Sequence, residues 1–245
     1  CQLLVYLGAE RGCASPLCNG GLQVRVRFLG HSCVEIVGRR HILMDPDFTH
    51  NPEPDVEYIL VSHAHRDHIG RVAELAGGKV VAAPDVCEIA ARMGVPEGRL
   101  LPVQAGDTVA NIQVLEGFSR VGGAAYNFFH FIFRWRRPDP GGTPLSFLVE
   151  DEMSLLHIGD ADTVELAAAP DILCLPWRPS PFWPERYKRR VIGLAQSFAP
   201  QYVLPIHYDL PGTEADPAQL RESLGQVVLD GSDWHSFKNG GKARD

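Results

Sequence analysis

Apolar and polar residues alternate with a period of two near the start of the chain. Val24-Arg25-Val26-Arg27-Phe28 sets the pattern, and residues 33–37 and 41–44 continue it, which predicts strands with one buried face. Residues 58–62, Tyr-Ile-Leu-Val-Ser, form a nearly unbroken apolar run, as in a strand covered on both sides. The pattern then shifts to a helix from 71 to 76, a strand at 79–83 and a helix at 85–93 with acidic Asp85 in its first turn, where the helix dipole favours negative charge. Strands follow at 101–104 and 110–116. A hairpin joins 145–149 to 154–158 across Glu150-Asp151-Glu152-Met153. The remainder reads as strand 171–175, helix 185–198, strand 202–206, helix 217–224 and strand 226–229, with Asp216 as cap and Pro217 in the first turn of the last helix. Two strand-rich halves, each with helices, predict an α/β fold: a four-layer αββα sandwich with a site between the sheets.

Composition agrees with that size of fold. With 245 residues and 45% hydrophobic content, one large core is feasible and residues 23–245 read as a single domain. Lys and Arg number 23 against 30 Asp and Glu, a net charge of −7, which argues against a general nucleic-acid binder. No apolar run approaches a membrane span. The six cysteines, Cys1, Cys13, Cys18, Cys33, Cys87 and Cys174, show no zinc-ribbon spacing. Their usage suits a reducing cytoplasm, with Cys174 a small core residue. The chain opens on Cys1 rather than Met, and Leu3-Leu4-Val5-Tyr6-Leu7 is too short for an anchor. An upstream extension or an incomplete start is the reading, so residues 1–22 stand as an extension of unknown role.

The densest chemistry follows the apolar run at 59–61. His63, His65, Asp67 and His68 fall within six residues directly after it. Imidazole and carboxylate ligate zinc and similar divalent ions, and a buried strand delivers them to the carboxyl edge of a sheet, where α/β folds place their sites. His63 and His65 can project together from an extended segment. Asp67 and His68 come after the chain has turned and can serve a second ion. Two later strands also end in ligands: 153–158 runs into Gly159-Asp160, and 202–206 into His207. Singly, Asp160 could be a turn aspartate and His207 a core histidine. In this order, and both at strand ends, they read as ligands.

The pattern His-x-His-x-Asp-His after a strand resembles the signature of the metallo-β-lactamase superfamily. The resemblance implies a two-ion site with His63, His65 and His130 on one ion, Asp67, His68 and His207 on the other, and Asp160 bridging. The superfamily usually has a further histidine at a strand end, but the counterpart near Gly117-Phe118-Ser119-Arg120 has none. His130, the only histidine between His68 and His157, follows Ala125-Tyr126-Asn127, as in one branch of these hydrolases. The alternative is a loop histidine without a metal, leaving a single-ion site or a substituted ligand. Residues 24–47, with their Gly-His-Ser turn and Asp-Pro stop, resemble hydrolases related to L-ascorbate-6-phosphate lactonase, as does Pro205-Ile206-His207-Tyr208. N-acyl-phosphatidylethanolamine phospholipases are more distant relatives of that branch. The likeness covers about residues 24–230. It puts Asp45, and with it His31, behind the ligands to orient imidazoles; a plain Asp-Pro turn is the other reading of Asp45.

Two segments mix aromatics with arginine: Phe128 to Arg137, and Trp177-Arg178-Pro179-Ser180-Pro181-Phe182-Trp183-Pro184. Arginine forks suit phosphate or carboxylate and aromatics wall pockets, while a half-buried strand and a loop staple are the ordinary readings. Arg66, Tyr126, Trp177 and Arg178 are the candidate substrate contacts, and the expected partner is a small, anionic molecule. The chain thus reads as a hydrolase with two divalent ions, zinc expected and manganese the alternative. A metal-bound hydroxide, oriented by Asp67, would attack a small ester, lactone or phosphoester. A phosphodiesterase for a nucleotide or phospholipid head group would use the same site. From other classes, a di-iron redox enzyme lacks any sign of a flavin domain or rubredoxin-type cysteines, and a binding module with a decayed site rests only on the open question of His130. The oligomeric state is not legible.

Overall fold

The computed structural model describes residues 23–117, 141–178 and 184–238. Its strands form two seven-stranded sheets built on one plan. In the first, β1 (Gln23–Gly30), β2 (Cys33–Val37) and β3 (His41–Met44) run antiparallel. β4 (Tyr58–Leu60), β5 (Lys79–Ala82) and β6 (Leu100–Pro102) continue from β3 in parallel. In the second, β7 (Thr108–Val109), β8 (Ile112–Glu116), β9 (Leu145–Glu150) and β10 (Ser154–His157) are antiparallel. β11 (Ile172–Pro176), β12 (Tyr202–Ile206) and β13 (Val227–Val228) follow in parallel. The last strand, β14 (His235–Lys238), returns to the first sheet and pairs antiparallel with β1. The helices among the described residues are α1 (Arg66–Ile69), α2 (Pro84–Arg92), α3 (Pro184–Phe198) and α4 (Pro217–Ser223).

Side-chain alternation explains the layers. In β11, Ile172 and Cys174 join the cluster between the sheets, while Leu173 and Leu175 pack outward with Val191 and Ala195 of α3 and Leu220 of α4. Both faces of the strand are covered, which is why its sequence is an unbroken apolar run. Each such side chain, fully buried, contributes about 1.5–3 kcal/mol. α2 packs against β5 and β6 of the first sheet. The expected sandwich of two sheets with outer helices is the observed one, the metallo-β-lactamase fold.

The outer face of β1–β3 departs from that plan, since chain from Phe48 to Val56 covers it. Glu35, fully buried there, accepts from Arg27 Nε at 2.7 Å and from Glu53 N–H at 2.7 Å, and pairs with His41 Nε2 at 2.8 Å. Burial alone would raise its carboxyl, but the hydrogen bonds from His41 and Arg27 hold it below the usual range.

Four local differences from the sequence reading have physical causes. The helix expected at 71–76 is a 3₁₀ turn at Val72–Glu74, and α1 begins earlier, inside the histidine motif. Arg71 N–H donates to Pro46 O, and Leu75 is extended with its carbonyl bound by Arg99, so neither end of the segment is free to continue a helix. β4 stops at Leu60 because the Ser62 N–H goes to the Asp45 carboxylate rather than to a strand. The strand expected at 110–116 starts two residues later, at Ile112, because the chain turns at Ala110, φ +53°, to pair it with β7. β14, rich in polar residues, was not expected at all.

Candidate metal centre

Six of the proposed ligands lie at carboxyl ends of parallel strands or in the turn that follows. His63 and His65 follow β4, Asp67 and His68 sit in α1, Asp160 follows β10, and His207 follows β12, while Asp45, behind them, closes β3. The two sheets therefore present their corresponding edges to one another at a single point.

The ring nitrogens converge. His63 Nε2 lies 2.9 Å from His65 Nδ1, and His68 Nε2 lies 3.0 Å from His207 Nε2. Asp160 reaches all three inner rings: Oδ2 is 3.7 Å from His63 Nε2, and Oδ1 is 3.5 Å from His68 Nε2 and 3.0 Å from His207 Nε2. Asp67 Oδ2 stands 3.6 Å from His207 Nδ1 and 3.9 Å from His68 Nε2. Two triads have ligand atoms mutually within 4.8 Å: His63, His68 and Asp160, and Asp67, His68 and His207.

The donor set fits a divalent ion, on an observation independent of motif. Asp160 Oδ1 and His207 Nδ1 are buried without a hydrogen-bond partner. A buried polar atom left unpaired costs about 1–3 kcal/mol, and several lone pairs aimed at one another fit a cation between them.

Behind these atoms the tautomers are set by hydrogen bonds. Asp45 accepts from Ser62 N–H at 2.7 Å, from Ser62 Oγ at 2.8 Å and from His68 Nδ1 at 2.7 Å. Ser62 Oγ, its proton given to Asp45, accepts from His63 Nδ1 at 3.0 Å. Both imidazoles thus keep Nδ1–H inward and turn Nε2 toward the site. Burial would raise the Asp45 carboxyl, but the His68 and His157 rings nearby hold it at about 2. Burial would likewise lower His68, yet the Asp45 carboxylate lifts it to about 10. Burial pushes His63 well below its ordinary range and lowers His207 and His157 too. Asp160, against burial, is held well below the carboxylate range by Arg178 and His207.

His157 is a residue the sequence reading did not single out. Its Nδ1 accepts from Gly159 N–H at 3.2 Å and its Nε2–H donates to Ser32 O at 3.0 Å. This ring ties the turn before Asp160 to the Gly-His-Ser turn of the other sheet, whose Ser32 Oγ donates to Asp67 O at 2.6 Å. The available signal was a histidine on the inward-facing side of an otherwise apolar strand.

Backbone strain concentrates here as well. His31, Asp45 and His207 have φ of +54°, +47° and +65°, values that non-glycine residues adopt rarely and mostly at functional sites. At Gly159, φ +54°, a Cβ would stand 2.7 Å from Ser62 Oγ; at Gly141, φ +64°, it would meet His63 and His65 at 3.0 Å.

The other sequence candidates are placed as follows. His31 meets the ligands through its backbone: its O accepts from His207 N–H at 2.5 Å, while its ring pairs with Asp47 at 2.9 Å. Arg66 is exposed and borders a shallow depression with His65, Ile69, Ile89 and Met93. Trp177 is 2% exposed and donates its indole N–H to Asp216 O at 2.9 Å. Arg178 reaches the site, with Nη2 2.9 Å from Asp160 Oδ2. Tyr126 and His130 lie outside the described residues. Cys33, Cys87 and Cys174 are buried free thiols, and no described helix is long and apolar enough to cross a membrane.

Two like-built sheets with a histidine–aspartate cluster between their edges define the metallo-β-lactamase class of metal-site proteins. The sequence agrees: residues 25–207 match the model of the beta-lactamase superfamily domain, and the chain belongs to that superfamily. It is similar to proteins named UPF0173 metal-dependent hydrolase from Pyrococcus horikoshii, 28% identical over 84% of this chain and 96% of the relative, and from Thermococcus onnurineus, 28% identical over 82% and 92%. Among solved structures, Igni18, described as a novel metallo hydrolase from Ignicoccus hospitalis, aligns with a TM-score of 0.64 at 19% identity, over 88% of this chain and 99% of that one.

One prediction arises from His68. Its charge, held to about pH 10 by Asp45, stabilises the metal-free protein fully below its ordinary value of 6.5, and this contribution disappears as pH rises through about 10. Ligation needs the Nε2 lone pair, so metal uptake must displace a proton. At pH 6, Zn²⁺ binding should release at least one proton per chain, and affinity should rise about tenfold per pH unit toward pH 10. Calorimetry in buffers of different ionisation enthalpy reads the release directly; uptake without it would contradict the assigned charge on His68.

Proposed function

We propose that the chain is a metal-dependent hydrolase acting on a small ester, lactone or phosphoester with two divalent ions, zinc in first place and manganese second. The observation that carries this reading is the convergence of His63, Asp67, His68, Asp160 and His207 into two ligand triads, with Asp160 Oδ1 and His207 Nδ1 buried and without a hydrogen-bond partner and His65 Nδ1 2.9 Å from His63 Nε2. The names of the relatives support it, and the likeness of the chain's opening and ending to the L-ascorbate-6-phosphate lactonase branch favours a lactone or phosphoester. Divalent ions bound there supply an acidified water and a Lewis acid for the developing oxyanion.

The chain's own residues do the rest. His63 and His65, with His130 as the third ligand that the family resemblance implies, would hold one ion; Asp67, His68 and His207 would hold the other, and Asp160 would serve both. Asp67, 26% exposed while the inner rings are fully buried, faces the mouth of the site and can take a proton from an attacking water. Asp45 and Ser62 fix the rings of His63 and His68. No serine or cysteine nucleophile is required, since Ser62 and Ser32 are committed to structural bonds and the described cysteines are buried.

The test is a panel of lactones, p-nitrophenyl esters and bis-p-nitrophenyl phosphate, with protein loaded with Zn²⁺ or Mn²⁺ and metal content measured in parallel. Turnover of at least one class that disappears on chelation and returns with metal is expected. A fully loaded preparation inert across the panel would overturn the reading.

A further inference from the structure

We propose that Arg178 is the receptor for an anionic group of the substrate, a carboxylate or a phosphate next to the scissile bond. The inference rests on the hydrolase reading above and narrows its substrate class. Three observations carry it.

The first is placement. Arg178 follows β11 and reaches the centre of the site, its Nη2 2.9 Å from Asp160 Oδ2. The second is preorganisation. Trp177 is locked by Trp177 N–H to Ile206 O at 2.8 Å and by its indole N–H to Asp216 O at 2.9 Å. Tyr187 of α3 donates to Pro176 O at 3.5 Å, which ties the end of β11 to that helix. The arginine is thus mounted on a stiff base, as a recognition fork requires and a solvated surface arginine does not.

The third is charge. Among the described residues three carboxylates, Asp45, Asp67 and Asp160, belong to the site. Two divalent ions with one hydroxide would bring a net +3, which those carboxylates would balance. With such ions bound, Asp160 would be shared between them and Arg178, which would leave the guanidinium only partly neutralised. A guanidinium with 28% of its side chain exposed, beside bound cations, is stabilised by an incoming anion. One clear alternative exists: Arg178 serves only to orient Asp160, with no substrate contact.

The experiment compares wild type with Arg178→Ala and Arg178→Lys, all metal-loaded and checked for metal content. The substrates are two p-nitrophenyl esters with the same leaving group, the neutral butyrate and the carboxylate-bearing hemisuccinate. With Arg178→Ala, kcat/KM for the hemisuccinate should fall about 10- to 100-fold, chiefly through KM, and that for the butyrate less than about threefold. Lysine, which keeps the charge without the fork, should restore part of the loss. A second readout does not need turnover. Inorganic phosphate and succinate are titrated against the loaded proteins, and one of them should bind wild type about 10- to 100-fold more tightly than Arg178→Ala; which one identifies the anion. Equal losses on both esters, or a fall in metal content in Arg178→Ala, would show that Arg178 only orients Asp160. Anion affinities unchanged by the substitution would overturn the proposal even if the enzyme turned over neither ester. Inactivity of wild type with anion binding intact would instead count against the hydrolase reading alone.

Discussion

Asp160→Ala should abolish turnover and strip most of the metal from the site. Two effects act in the same direction. The substitution removes a side chain that reaches His63, His68 and His207 together, at 3.7, 3.5 and 3.0 Å. It also removes the counter-charge 2.9 Å from Arg178, so the guanidinium is left facing the ions it would repel. Loss of the proposed shared ligand and a new like-charge neighbour together should lower kcat by at least about 10³-fold, the scale of several kcal/mol of lost transition-state stabilisation. Asp160→Asn keeps the shape and separates the charge from the packing. Metal analysis after gel filtration, with activity on the same sample, reads both effects. Full loading of Asp160→Ala would remove Asp160 from the ligand set.

The second large effect is expected at Asp45. It is 1% exposed, carries three hydrogen bonds and holds the charge on His68. Breaking a buried pair by deleting one partner costs about 3–5 kcal/mol, and Asp45→Ala adds strain, because φ is +47° there. Asp45→Asn tolerates that backbone and keeps one acceptor, so it should lose less stability, while metal affinity still falls about 10–100-fold. The pH dependence gives the sign. The pair's contribution is complete between the ordinary values of 3.8 for Asp45 and 6.5 for His68 and is lost as pH falls toward about 2 or rises toward about 10. Urea melts of the metal-free protein should therefore show the gap between wild type and Asp45→Asn widest at pH 4–6 and narrow by pH 10. A gap independent of pH would mean that the two residues do not share a charge pair.

What the sequence made legible follows from how locally each feature is encoded. Apolar runs such as 172–175 specify strands covered on both faces, so the two sheets and their helices were readable. That His63 to His68, Asp160 and His207 meet at strand ends was readable because each strand carries its following residue to the sheet edge by geometry alone. Features that depend on distant partners were not. Ser62 ends β4 by giving its N–H to Asp45, seventeen positions earlier. His157 joins two turns 125 residues apart in one of its bonds, and nothing adjacent to it marks that role. β14 is polar, and only its pairing with β1 makes it a strand.

That last pairing sets Gln23 opposite Lys238, and the metal site likewise draws on residues from Asp45 to His207 across both sheets. Contacts this far apart form late, because the chain must close long loops before they stabilise anything. Neither triad exists in a partly folded chain that has docked only one sheet. Ions that bind the finished site therefore lengthen the lifetime of the native state by slowing unfolding, and leave the speed of folding almost unchanged. For such a molecule, metal supply governs how long each folded copy lasts rather than how quickly it is made.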